Sequence, residues 1–244
     1  MDSNTELVNR LKQDILRMQG FAPVKCREED KIGLGPLEMA FPNGVFPKSV
    51  VHEFISENRE QLAATCGFVG GILSHLMGKK EVCIWISTTR RFFPSAAKAF
   101  GVEPDRIIFI CMPRERDVLW AVEEALKCKG VTIVVAELQE MDFVQSRRLQ
   151  LIVEKSRATG LILKNSPRKM GATACAARWH ITSLPSIMDD GMPGVGSPRW
   201  KVTLLKVRSG HTGTWHLGWN GNSFIPEDKE SSIAHKFEKE ARIG

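Results

Sequence analysis

The sequence predicts an α/β fold in which a mostly parallel β-sheet is flanked by helices and closed by a C-terminal patch of antiparallel strands. Between Val50 and Lys164, short apolar runs typical of buried strands alternate with helical segments. After Ala176 the pattern changes to alternating polar and apolar residues separated by Gly-rich turns, which is typical of antiparallel strands. A chain of 244 residues is also long enough to bury one sizeable core.

The N-terminal part is predicted to form a helix over Ser3–Met18. Ser3 and Glu6 have capping-box spacing. Apolar residues recur at intervals of four along one face, at Leu7, Leu11 and Ile15. The Gly- and Pro-rich segment Ala22–Pro47 is predicted to be a loop.

Strands and helices alternate from Val50 onwards. Strands are predicted at Val50–Ile55, Glu81–Ser87, Arg106–Ile110, Val131–Leu138 and Gly160–Lys164. Helices are predicted at Leu62–Met77, Pro94–Phe100, Pro113–Cys128 and Phe143–Ala158. Asp142 is the predicted cap of the last helix. Because the strands are apolar on both faces, we expect helices on both sides of the sheet.

Three antiparallel strands are predicted in the segments AARWHITSL, WKVTLLKVRSG and TWHLGW. From Pro226 the chain has mixed charge and few apolar residues, which predicts a frayed helix or disorder. The predicted organisation is an N-terminal helix and linker at 1–30, a core domain at 31–225 with a late basic region at 177–225, and a polar tail at 226–244.

The stretch Val50–Leu73 has the strand, turn and helix layout of a phosphate-binding loop without its residues. Such a loop needs glycines, a Lys, and a Ser or Thr for Mg²⁺. Glu57 and Glu60 occupy the turn instead and would repel a triphosphate.

Several segments resemble RecA-type proteins. IGLGPLEMAFPNGVFPKSVVHEF is similar to the segment before the RecA phosphate loop, and WISTTRRFFPSAAKAFGVEPDRIIFI to the segment after the loop helix. VTIVVAEL resembles the Walker B strand, and VTLLKVRSGHTGTWHLGW the late K-x-R-x-G-x-x-G hairpin. The combination of RWHITSLPS, GMPGVGSPRW and LLKVRSGHTGTWHL is most similar to the ImuA family, RecA- and SulA-related accessory proteins of bacterial error-prone repair. The resemblance covers roughly Asn4–Trp219.

This resemblance implies a RecA-like core with a degenerate P-loop. Ser56 falls where the first loop Gly would be, and the second Gly, the Lys and the Thr fall on Gln61, Leu62 and Ala63. The activating Glu falls on Thr89. Glu137 keeps the Walker B acid; it either binds Mg²⁺ alone, or caps a helix or faces solvent. Because most of these positions have lost their chemistry, we expect no ATP hydrolysis, no cofactor and no enzymatic activity.

Charge is concentrated late in the chain. Lys155–Ile225 holds ten Lys or Arg against two acidic residues, a net charge of +8 in a chain of +6. This favours an anionic partner, either nucleic acid or an acidic protein, or else a solubilising surface. Tryptophans interleaved with cations suit single-stranded DNA or a protein hot spot, or else form the half-buried face of the antiparallel patch. The candidate contact residues are Arg178, Trp179, Arg199, Trp200, Lys201, Lys206, Arg208 and Trp215.

The family resemblance implies a non-enzymatic adaptor for SOS mutagenesis. Its implied partners are an ImuB-like, polymerase-related protein of the Y family and, indirectly, an error-prone replicative-type polymerase. RecA and DNA are further implied partners, and Leu7, Leu11 and Ile15 a candidate interaction stripe. Three alternatives stay open: a SulA-like inhibitor of the division protein FtsZ, an active RecA-type ATPase and a plain DNA-binding module.

Other function classes have no support in the sequence. No apolar run reaches the roughly 20 residues that cross a bilayer, and the start MDSNTEL is unlike a signal peptide. The six cysteines form no C-x-x-C pair and are predicted to be mostly buried and reduced. His211 and His216 have no further ligands at metal-binding spacing. We therefore expect a cytoplasmic protein, associated with the nucleoid when active, without a metal.

Overall fold

A computed structural model describes residues 31–78, 81–89, 92–167, 170–187 and 196–227, together with Leu11 and Asp14. The strands are β1 (Val51–Ser56), β2 (Val82–Ser87), β3 (Ile107–Cys111), β4 (Val131–Leu138), β5 (Thr159–Asn165), β6 (Ala177–Ile187), β7 (Ser197–Val207), β8 (Gly213–Trp219) and β9 (Phe224–Glu227). The helices are α1 (Arg59–Leu76), α2 (Pro94–Lys98), α3 (Glu115–Lys127) and α4 (Phe143–Ser156).

All nine strands form one sheet in the order β3-β2-β4-β5-β1-β6-β7-β8-β9. The strands from β3 to β6 run parallel, and β6 to β9 pair antiparallel, which confirms the predicted mixed architecture. The prediction for β6 was incomplete, because β6 is parallel to β1 on one side and antiparallel to β7 on the other. It starts at the same edge as β1, since Ala177 lies beside His52.

Each face of the sheet has its own hydrophobic core. On the first face, α1, α2 and the segment 32–46 pack on Phe54, Trp85 and Trp179. On the second face, α3 and α4 pack on β1, β2, β4 and β5, where Ile86 and Val134 are fully buried. The first core extends across β6 to β9, whereas none of the buried residues of the second core lies on those four strands.

Local capping shifts the helix boundaries from the predicted ones. Helix α1 starts at Arg59, earlier than predicted, because the Asn58 side chain accepts a bond from the Gln61 N–H. The predicted Asp142 cap of α4 is confirmed as a full capping box. That helix ends at Ser156 because Arg157 adopts a left-handed conformation with φ of 67°.

The end of the core lies two residues beyond the predicted boundary. Pro226 and Glu227 belong to β9, so the prediction of a frayed helix or disorder is wrong for them. Pairing with β8 and an ion pair between Glu227 and Arg199 hold these polar residues in place. Residues 228–244 lie outside the described residues, as do Leu7 and Ile15, while Leu11 is helical and 53% exposed.

The cysteines only partly match the prediction. Cys66, Cys83 and Cys175 are buried, but Cys111 and Cys128 are exposed. Burial raises the pKa of Cys83 and of Cys175 to about 12, so these two thiols are unreactive. Within the described ranges, no helix combines the length and the apolar character needed to cross a membrane.

Candidate functional site

The turn between β1 and α1 is closed by its own side chains. Only Glu57 and Asn58 separate the strand from the helix. The Gln61 N–H donates to Asn58 Oδ1 at 2.9 Å, and the Glu57 N–H donates to Gln61 Oε1 at 2.8 Å. Two of the backbone donors that could otherwise bind an anion at this helix start, the amides of Glu57 and Gln61, are therefore already used.

The residues predicted to form a degenerate nucleotide site lie in and around this turn. Ser56 is fully buried at the end of β1, with its hydroxyl 3.0 Å from that of Thr65. Gln61, Leu62 and Ala63 all lie in α1, and Leu62 is only 3% exposed. The sequence predicts a polar turn over Ser56–Gln61, but the structure places Arg59–Gln61 in α1 behind the Asn58 cap, for which Asn followed by Gln three residues later is a recognised signal.

The Glu137 carboxylate is buried and accepts a hydrogen bond within the protein. It is 7% exposed, and its Oε1 accepts the indole N–H of Trp85 at 2.9 Å. Of the three alternatives for Glu137, its burial contradicts the one in which it faces solvent. Trp85 itself is fixed by stacking on Phe92, with ring centroids 4.4 Å apart. Thr89 is exposed, and its carbonyl accepts a bond of 2.6 Å from the Ser87 hydroxyl.

The basic pair Lys206 and Arg208 lies at the opposite edge of the sheet from this turn. Strand β7 runs against β6, so Val207 lies beside Ala177, where β6 begins. Lys206 Nζ donates to the carbonyl of Thr173, and Arg208 Nη2 donates to that of Ala174 at 2.8 Å. Burial lowers the pKa of Lys206.

Arg178 completes this set of inward-facing cations. Its Nη2 donates to the Gly171 carbonyl at 2.8 Å, and its Nε lies 2.7 Å from Glu53 Oε2. Glu53 is fully buried and also lies 3.4 Å from Lys164 Nζ, whose side chain is 3% exposed. Arg178, Lys206 and Arg208 thus bind the backbone of the connection between β5 and β6.

The tryptophans predicted as contact residues are mostly part of the core. Trp179 and Trp200 are 0% and 2% exposed, so the prediction that they contact a partner or DNA is wrong for both. Trp179 stacks on Phe54 and donates its indole N–H to His52 Nδ1 at 3.2 Å. Trp215 is half-buried against the same core.

The remaining predicted contact residues divide by exposure. Arg199 binds both oxygens of Glu227, with Nε–Oε1 at 2.7 Å and Nη2–Oε2 at 2.5 Å. Lys201 is exposed, as are Lys155 and Arg157. The +8 charge of the late segment is therefore not a continuous basic surface.

Two open cavities lie on opposite faces of the sheet. A groove of about 630 Å³ runs between α1 and the segment 92–100, with Arg59 at its wall. A pocket of about 560 Å³ lies between the N-terminal turns of α3 and α4, beside the loop Gln139–Asp142. In the part of the chain that the structure describes, no three His, Cys, Asp or Glu side chains group closely enough to hold a metal ion.

Comparison with known proteins gives one clear relationship. No family profile matches the sequence. Relatives named Protein ImuA from two strains of Caulobacter vibrioides, NA1000 / CB15N and ATCC 19089 / CIP 103742 / CB 15, are each 30% identical to the chain over 193 residues. The alignment covers 74% of this chain and 79% of each relative.

Proposed function

Because this chain belongs to the ImuA family, we propose that it is a non-catalytic adaptor in bacterial DNA damage tolerance. It assembles a mutagenic translesion complex by binding an ImuB-like, polymerase-related protein of the Y family. Its association with an error-prone replicative-type polymerase is indirect and is mediated by that partner. Its body is a RecA-like scaffold whose phosphate loop has degenerated.

The observation that carries this proposal is the closed turn between β1 and α1. A phosphate loop wraps an anion with free backbone N–H groups and adds a Lys. Here the amides of Glu57 and Gln61 are bonded to side chains, and the position of the Lys is the buried Leu62. A two-residue connection also leaves no room for an eight-residue phosphate loop.

The parallel part of the sheet supports the scaffold proposal. Strand β1 lies centrally, between β5 and β6, and leads directly into α1. Glu137 is the penultimate residue of β4, which β5 separates from β1, but its carboxylate is bonded to Trp85. The layout of a nucleotide site thus persists while its polar groups serve the fold.

Titration with ATP and Mg²⁺ in a calorimeter tests the loss of nucleotide chemistry. We expect no binding tighter than about 1 mM, because binding would require breaking the cap of α1. The variant Ala63→Lys is the matched control, since it adds a Lys at an exposed position of the same helical turn but leaves the amides bonded, and we expect it to bind no better. Micromolar affinity of the unmodified chain would overturn the proposal.

A further inference from the structure

The pocket between α3 and α4 has an apolar interior. It lies beside the carboxyl end of β4 and is lined by Leu119, Leu138 and Met141, with Phe143 as a wall. Leu138 and Met141 belong to the second core, whereas Phe143 is 52% exposed. A cavity of about 560 Å³ is large enough for one or two bulky apolar side chains.

Acidic side chains surround this interior. Among the described residues that line it, Glu115, Glu140 and Asp142 are acidic and Arg116 is basic. Negative charge around an apolar cavity selects for ligands in which an apolar group lies next to positive charge.

The rim of the pocket is held in place before any ligand arrives. Glu115 Oε1 accepts the backbone N–H of Gln139 and, at 2.9 Å, that of Glu140. Asp142 accepts the Gln145 N–H at 2.7 Å, and Gln145 returns a bond of 2.9 Å to the Asp142 N–H. A preorganised rim lowers the entropic cost of binding.

Large apolar side chains are exposed next to the pocket. Trp120, Val144 and Met170 are 62%, 72% and 60% exposed. Each is the immediate chain neighbour of a lining residue, respectively Leu119, Phe143 and Gly171. Exposed apolar side chains of this size are typical of interaction surfaces, and Trp is enriched among the residues that dominate binding energy.

We propose that the α3–α4 pocket docks a segment of the partner protein in which a bulky apolar anchor is flanked by Lys or Arg. This inference rests on the proposed function, in which the chain works through contact with a polymerase-related partner. The acidic lining selects this occupant, because it complements flanking cations while the interior takes the apolar anchor. Among the described residues that line the groove beside α1, Arg59 is the charged one, and none of them provides that acidic complementarity.

Affinity measurements between the full chain and its purified ImuB-like partner test the assignment. Phe143→Ala and Glu140→Lys should each weaken binding by about tenfold or more. Phe93→Ala and Glu103→Lys are matched controls. Phe93 is 62% exposed and is the chain neighbour of Phe92, which lines the other groove, and Glu103 is exposed in the connection between α2 and β3. Both controls should change affinity by less than about twofold.

The outcomes separate the pocket from the function. Equal binding by wild type and both pocket variants would overturn the pocket alone, and no binding by wild type would overturn the proposed function together with it. All four variants alter exposed side chains, and their thermal unfolding curves report whether the fold is kept.

A photoreactive benzoyl-phenylalanine at position 143 gives a second readout. In the purified complex it should cross-link to a partner peptide with Lys or Arg within about four residues of Leu, Ile, Met or Phe, which is within reach of the rim. A cross-link to an acidic segment of the partner, or to a second copy of this chain, would overturn the inference.

Discussion

The late basic region and the α3–α4 pocket differ in what their side chains are used for. The region 177–225 carries the charge and tryptophan pattern of a contact surface, yet Arg178, Lys206 and Arg208 face inward. The pocket has no comparable pattern in the sequence, yet Phe143 and Trp120 are exposed around it. This difference indicates that exposed apolar side chains mark a contact surface better than the number of cations does, because cations can be used to bind the protein's own backbone.

The connection between β5 and β6 explains why those cations are needed. Between Asn165 and Ala177 the described residues form no helix or strand, so carbonyl groups there lack regular partners. Buried carbonyls must still find donors. Arg178, Lys206 and Arg208 supply them at Gly171, Thr173 and Ala174, which fixes the path of the chain over the second face of the sheet.

The largest expected effect comes from the buried charge cluster behind the late basic region. Glu53→Gln removes the negative charge that Lys164 and Arg178 share in the interior. We expect the free energy of unfolding to fall by about 3 to 5 kcal/mol, because two buried cations lose their counter-ion. Urea unfolding at neutral pH measures this change.

Glu103→Gln is the control, because Glu103 is exposed and its replacement should cost less than about 0.5 kcal/mol. If Glu53→Gln left stability within about 1 kcal/mol of wild type, the inward cations would not be structural, and the comparison between the two regions would fail.

Much of the fold follows from the sequence, because its signals are local. The apolar run Val131–Leu138 matches β4 residue for residue, and Asp142 caps α4 as its sequence context predicts. The parallel pairing of β6 with β1 could not be predicted, because it depends on how the connection 166–176 crosses the sheet. The depth of burial was also beyond the sequence, since Trp179 and Trp215 both lie between polar neighbours, but Trp179 is fully buried and Trp215 only half-buried.

The candidate site shows the same limit. The absence of a phosphate-loop motif at Ser56, Gln61, Leu62 and Ala63 is legible in the sequence. That Gln61 bonds the amide of Glu57, and that Glu137 bonds Trp85, depends on contacts which no spacing rule specifies. The α3–α4 pocket is assembled from three separate segments, and so no single stretch of sequence indicates it.

A pH titration of stability sharpens the structural role of Trp179. His52 is fully buried, donates from Nε2 to the Pro47 carbonyl and accepts the Trp179 indole N–H at Nδ1, so the neutral ring is the form that fits. Burial lowers the pKa of His52 from 6.5 to about 4. Between pH 6.5 and about pH 4, His52 therefore binds a proton in the unfolded chain but not in the folded chain.

Stability should consequently fall as the pH drops through this window, by about 3 kcal/mol in total from His52. The variant His52→Gln should show a shallower slope between pH 6.5 and 4 in urea unfolding, whatever its stability at pH 7. His211→Gln alters an exposed ring and should keep the wild-type slope. Equal slopes for wild type and His52→Gln would show that burial does not keep the His52 ring neutral in the folded chain.

The smallest expected effect is at Lys201, a candidate contact residue that is exposed on β7. Lys201→Glu should leave the free energy of unfolding within about 0.5 kcal/mol of wild type, because no buried group depends on it. If the α3–α4 pocket is the contact surface, Lys201→Glu should also weaken binding to the ImuB-like partner by less than about threefold, against about tenfold for Glu140→Lys. The reason is that an exposed charge outside the contact surface contributes little to affinity. The affinities of the two variants should be measured at the same ionic strength, because each variant reverses a single charge. A larger loss for Lys201→Glu than for Glu140→Lys would reverse the assignment, making the solvent-facing side of β7 the contact surface and the pocket an ordinary surface cavity.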